Sequence, residues 1–131
     1  MAAISPHLQL AHAWIRALNE KKIDQLGSLL ADDFLSTVRP ASMGIKPLDK
    51  EGYLQSLRSI PMKVLTIAIP AAADVVETQD VVQFYTTSEG RSTHGFEYKN
   101  EYMFTFTFMD DGLIHGIVEF LDPTAVAEMS I

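Results

Sequence analysis

The stretch that most constrains this chain runs from Glu97 to Pro123. Counted from Phe96 just before it, the even positions are Phe96, Tyr98, Asn100, Tyr102, Phe104, Phe106 and Phe108. Its odd positions are Glu97, Lys99, Glu101, Met103, Thr105, Thr107 and Met109. One face is aromatic except for Asn100 and the other is mostly charged or hydroxylated, a period of two that predicts a long strand. Asp110-Asp111-Gly112 supplies a tight turn, with glycine where a positive φ is needed. Leu113 to Leu121 then returns as a second strand, apolar except for His115 and Glu119. An acid and an imidazole on such a strand need a partner or a task, because an unpaired buried charge is costly.

Composition narrows the functions open to the chain. Its 131 residues suit one domain, 1–131, and 47% apolar residues are enough for a sizeable core. The net charge of −7, with no basic block, argues against nucleic acid or an anionic membrane as a partner. Cysteine is absent, which removes disulfides, a thiolate nucleophile and cysteine-held metals. No run of about 18 apolar residues is present to span a bilayer. The start, MAAISPHLQL, lacks the basic and apolar regions of a signal peptide, so a cytoplasmic location is expected.

Ser5-Pro6 reads as a capped helix start, followed by Leu8, Ala11, Ile15 and Leu18 at helical spacing with Trp14 alongside. A second helix is read from Ile23 to Ala31, ended by Asp32-Asp33, then a short strand from Phe34 to Val38. Arg39 to Pro47 is irregular. Asp49 caps a third helix carrying Tyr53, Leu54 and Leu57, which Pro61 closes. Lys63 to Pro70, Val75 to Thr78 and Asp80 to Thr87 read as strands, with a bend at Ala71–Ala73 and a turn at Glu89-Gly90. Thr124 to Ile131 reads as a short tail. Helices followed by a run of strands predict an α+β fold, a curved, mostly antiparallel sheet wrapped over three helices with a pocket at its open end.

The opening AHAWIRALNEKKIDQLGSLLADDF and the ending FTFMDDGLIHGIVEFLDP resemble the NTF2-like superfamily with its SnoaL-like cone fold. The middle stretches RPASMGIKPLDKEGYLQSL and YKNEYMFTF look like its fungal branch, which includes isomerases and cyclases of secondary metabolism. The resemblance covers essentially the whole chain. It implies a pocket between the concave sheet and the helices, chemistry without metal or organic cofactor, and a homodimer paired through the sheet. The same fold also hosts binding proteins, so fold alone does not assign chemistry.

Glu119 is the strongest catalytic candidate. Glu119-Phe120-Leu121-Asp122 is similar to the "acid, aromatic, x, Asp" stretch that carries a catalytic acid in the related epoxide hydrolases. The arginine those enzymes need is missing from DVVQFYTT. In an apolar pocket the Glu119 pKa would rise toward neutrality. His115 shares its face in a regular strand, though a bulge would break that parity. His94, near the mouth of the cone, is a second candidate partner. If the aromatic face is concave, Asn100 and Tyr102 could hold a carbonyl or enolate. The resemblance places Trp14 and Tyr53 in the pocket wall, with Phe34 and Met43 as further wall residues. Asp122 reads as a cap for the tail. Asp32-Asp33 is similar in place to the base of the related steroid isomerases, which follows the second helix, but reads as a pair of solvated acids at a helix end, and His7 and His12 show no partner or metal spacing. Three functions stay open at this point: a cofactor-free enzyme moving protons on an apolar metabolite, a binding protein, and a dimerisation domain.

Overall fold

A computed structural model describes residues 4–129. Helix α1 spans Pro6–Asn19, with the Ser5 hydroxyl accepting from the Leu8 amide at 3.0 Å. Its buried side is the expected stripe of Leu8, Ala11, Trp14, Ile15 and Leu18. Helix α2 (Ile23–Gly27) is shorter than its periodicity predicts, and strand β1 (Leu30–Arg39) starts where the helix was expected to continue. The cause is tertiary. The Ile114 amide donates to the Leu29 carbonyl at 2.9 Å and Leu30 lies opposite Ile114, so sheet pairing claims residues whose local pattern is helical. Asp32 and Asp33 therefore sit in β1, not at a helix end.

Strand β2 (Leu48–Asp49) leads into α3 (Lys50–Arg58), where the Asp49 carboxylate caps the Gly52 amide at 2.8 Å as expected. Then come β3 (Met62–Ile67), β4 (Val75–Glu77), β5 (Val81–Ser92), β6 (Glu97–Phe108), β7 (Ile114–Leu121) and α4 (Pro123–Met129). The sheet order is β2-β1-β7-β6-β5-β3, with β4 also on β5. Only the β1–β7 pairing is parallel among these, so the sheet is mostly antiparallel. The fold is the expected α+β arrangement of helices on one face of a curved, unclosed sheet. Among the described residues it has four α-helices rather than three, because part of the expected tail winds into α4. No helix among them is long and apolar enough to cross a membrane.

The turn expected at Glu89-Gly90 is absent, since β5 runs unbroken through both residues. The reversal lies just beyond, where Gly95 takes a φ of +85°. Gly90 answers a different need. A Cβ there would lie 2.3 Å from the Val64 carbonyl oxygen, so glycine lets β3 come close.

Strand β6 is the centre of the sheet, paired along its length with β5 and over seven positions with β7. Tyr98, Asn100, Tyr102, Phe104, Phe106 and Phe108 are all buried on its concave face, as the period-two pattern predicts. Phe96 is the exception: it precedes the strand and is 39% exposed. Trp14 meets Phe104 and Phe106 edge-on at 5.4 and 5.3 Å, which fixes α1 across the sheet.

Candidate active site

Between the concave face and helices α1 and α3 lies a chamber of about 180 Å³. Trp14, Tyr53, Tyr98, Tyr102, Glu119 and Leu121 are among its walls. Strand parity puts Glu119 there. Ile117 and Leu121 are buried on the same side of β7, and Glu119 falls between them, opposite Phe104 of β6 and Val38 of β1.

Glu119 is half-buried, its carboxyl set among many protein atoms yet facing the open space of the chamber. Among the described residues no hydrogen bond or ion pair reaches that carboxyl. Burial alone raises its pKa from 4.5 to about 7. An acid with that pKa is present in both protonation states near neutrality, which suits it to give or take a proton.

Two phenols sit within range of its charge. Trp14 Nε1 donates to the Tyr53 hydroxyl oxygen at 3.1 Å. Indole N–H is a donor only, so the Tyr53 oxygen accepts and its own proton points elsewhere. No acceptor for that proton is found among the described residues. Burial, and after it the negative charge of Glu119, push the Tyr53 pKa far above its ordinary value. The ring leans on Phe34 at 5.0 Å. Tyr102 shares a 2.7 Å hydrogen bond with the Ser88 hydroxyl, and its pKa is likewise raised, mainly by burial. Both phenols therefore stay neutral; Tyr53 keeps a proton to donate, and Tyr102 does so where Ser88 is the donor of their shared bond.

The chamber thus brings together Glu119, Trp14, Tyr53 and Tyr102, with Phe34 behind Tyr53. Other candidates stand apart. Met43 packs half-buried against the core from a 3-10 turn, Ala41–Met43, and is not in the chamber wall. Asn100 is committed elsewhere. Its amide donates to the Tyr98 hydroxyl at 2.6 Å and the Asp122 carbonyl at 3.2 Å. Its oxygen accepts from the Glu101 and Asp122 amides at 2.7 and 2.9 Å. Asn100 therefore latches the end of β7 to β6, with no group left for an enolate. Asp122 caps the Thr124 amide at 2.9 Å, as expected. His94 is exposed in the β5–β6 turn.

His115 is carried off the Glu119 face by a bulge. The β6–β7 register steps from Thr107↔Gly116 to Phe108↔Ile114, skipping His115. Its ring instead lies between Asp33 and Asp111, each at 2.7 Å. The Asp111 hydrogen bond, opposed by burial and helped by Asp33, raises the His115 pKa. Asp111 is correspondingly held low, chiefly by the same bond. A histidine pKa raised on folding adds stability that is full below its unfolded value near 6.5 and fades as pH climbs through the folded value. We expect His115→Asn to lose up to about 1 kcal/mol at mildly acid pH and almost nothing in alkali, read by urea unfolding at both. Equal loss at both would mean the ring acts through packing.

The chamber walls also hold residues that pattern reading left as core, notably Leu18 and Leu57, along with Ile60, Met62 and Leu65. The apolar spacing in the helices signalled burial but not which buried side chains border a void. The same five residues line an outer vestibule of about 280 Å³ that also takes in Lys21, Ile23 and Arg58. Ser88, the partner of Tyr102, carried no sequence signal beyond its place in a strand. Among the described residues no three His, Asp or Glu side chains are grouped to hold a metal ion.

Residues 11–117 match the model of the SnoaL-like domain family, a match that stops two residues short of Glu119. No curated protein matches the chain in sequence. Among solved structures, BvnE pinacolase from Penicillium brevicompactum is 23% identical, with a TM-score of 0.82 over 95% of this chain and 92% of that one. PrhC from Penicillium brasilianum is 18% identical, also at 0.82, over 95% and 85%. A Delta 5-3-ketosteroid isomerase from Mycobacterium sp. is 17% identical at 0.76, over 93% and 97%. At these identities the likeness is one of fold.

Proposed function

The chain belongs to the SnoaL-like domain family, and on that premise we propose that it is a cofactor-independent isomerase or cyclase that moves protons on a small, largely apolar, polycyclic secondary metabolite. The observation that carries this reading is the enclosed, unpaired Glu119 carboxyl with its pKa at about 7. A structural acid would be paired or solvated. Glu119 takes a proton from the substrate in its ionised form and returns one in its neutral form. Tyr53, polarised by the Trp14 N–H, and Tyr102, bonded to Ser88, donate to the oxyanion that develops. The largely apolar walls lower the local dielectric and strengthen each of these contacts. A pinacolase and a ketosteroid isomerase among the structural neighbours are consistent with the reading.

Carbon-13 NMR of glutamate-labelled protein tests it directly. The Glu119 signal, assigned by its loss in Glu119→Gln, is expected to titrate at about 7. Titration near 4.5 would instead support a non-catalytic binding or dimerisation domain.

The convex face supports a homodimer through the sheet. Tyr85, Met103 and Phe120 lie side by side on three paired strands and are 38%, 42% and 52% exposed. Such an apolar row in open water favours association with its own copy. We expect Met103→Glu to weaken self-association at least about tenfold by sedimentation, since each partner would then bury an added charge. A wild-type chain that sediments as a monomer would end the idea.

A further inference from the structure

The vestibule carries charges out of keeping with the chain. The protein has 17 acidic and 10 basic residues. Yet the two ionisable side chains in the vestibule wall are both cations, Lys21 and Arg58. The remaining wall is apolar, formed by Leu18, Ile23, Leu57, Ile60, Met62 and Leu65.

Neither cation is loose. Lys21 sits just past the end of α1 with a left-handed φ of +58°, and its amide donates to the Leu18 carbonyl at 3.0 Å. Its Nζ donates to the Lys63 carbonyl at 2.6 Å, which leaves two ammonium protons for another acceptor. Arg58 closes α3 and donates through Nη2 to Asp24 at 2.7 Å. Its Nε and Nη1 protons stay available. The Asp24 side chain is 99% exposed, so the pair is open to water, and Asp24 offsets part of the Arg58 charge. Two prepositioned cations thus line a hollow that shares five apolar wall residues with the chamber holding Glu119.

We propose that this site takes an apolar organic acid, its ring body in the chamber beside Glu119 and its anionic head outside, against Lys21 and Arg58. The inference rests on the chamber being the substrate site. Whenever Glu119 is ionised, that direction is the favoured one. An anion pushed inward would meet the Glu119 carboxylate in a medium that solvates neither charge. Turned outward, it meets two cations and water while the body leaves water for the apolar walls. A neutral substrate would gain hydrogen bonds from the pair but no charge attraction. The cations also fix which end of the ligand reaches Glu119, so they set the position of the reacting carbon.

The test compares two probes sharing one body, anilinonaphthalene sulfonate and its uncharged parent phenylnaphthylamine, by fluorescence titration of the full chain. The doubly substituted Lys21→Gln, Arg58→Gln protein is expected to bind the sulfonate about tenfold more weakly and the parent within about twofold of wild type. Charge-keeping Lys21→Arg with Arg58→Lys retains most of the sulfonate affinity. Added salt weakens sulfonate binding to wild type but not to the double variant. The parent displaces the sulfonate, as two ligands of one cavity must. The proposal fails if both probes weaken together, if the sulfonate is unaffected, or if neither binds. A Glu119 that titrates near 4.5 sinks the acid–base reading alone and leaves the probe comparison intact. Lost charge dependence with Glu119 still at about 7 sinks this inference alone.

Discussion

Glu119→Gln is expected to lower turnover by about 10²–10⁴ while making the folded protein more stable in mild alkali. The two effects share one cause. Glutamine fills the same volume but neither takes nor gives a proton. In the wild type, burial lifts the Glu119 pKa from 4.5 to about 7. Below pH 4.5 the folded and unfolded chains both hold this proton, and the site carries no ionisation penalty. Between 4.5 and 7 the unfolded chain gives it up first, so stability falls as pH rises. Above about 7 the folded chain holds a buried carboxylate at a cost of about 3 kcal/mol, from the roughly 1.4 kcal/mol carried by each pKa unit. Glutamine removes that slope, less whatever its unpaired amide costs. Urea midpoints at about pH 5 and pH 8.5 should therefore show the variant gaining on wild type as pH rises. His115 adds a fall of its own in a higher window, and the His115→Asn protein separates the two. A variant that loses stability at both pH values would show Glu119 to be structural.

Part of the fold around this site was legible in the sequence, and the parts that were not share a reason. The alternation from Tyr98 to Phe108 put those side chains on one face of β6, because side chains on a strand have only two directions to choose from, but it left open which face is concave. Whether Glu119 turned inward was equally open, and burial of Ile117 and Leu121 on its side of β7 decides it. What strand parity cannot carry is an insertion. The bulge at His115 turned a residue four positions from Glu119 onto the opposite side, where Asp33 and Asp111 hold it. Leu29 and Leu30 fit a helix by spacing but pair with β7, since a partner distant in sequence outweighs local preference. Asn100 sits on the right face, yet its hydrogen bonds to Tyr98 and Asp122 depend on where the chain goes after β7. Glycines read the same way whether they serve a turn or a close approach. Gly112, with a φ of +72°, is the first kind and Gly90 the second.

Phe104→Ala is expected to remove about 3–5 kcal/mol of stability, the range for a fully buried aromatic cut to a methyl group. Phe104 is wholly buried at the middle of β6, opposite Phe84 on one side and Glu119 on the other. Its ring lies 5.0 Å from Tyr102, 5.4 Å from Trp14 and 5.6 Å from Phe84. These neighbours belong to separate strands and a helix, so they cannot all collapse into the space left behind, and a cavity remains. For a domain with a total stability of about 5–15 kcal/mol, that loss brings unfolding close to working temperatures. It also reaches the site. Trp14 leans on Phe104 and donates to the Tyr53 hydroxyl, so a Trp14 ring free to tilt no longer holds that hydroxyl in place. Denaturant unfolding measures the first effect, and Trp14, the sole tryptophan, reports the second through its fluorescence. A loss below about 1 kcal/mol would mean that the core repacks and that the position of Trp14 is set by α1 alone.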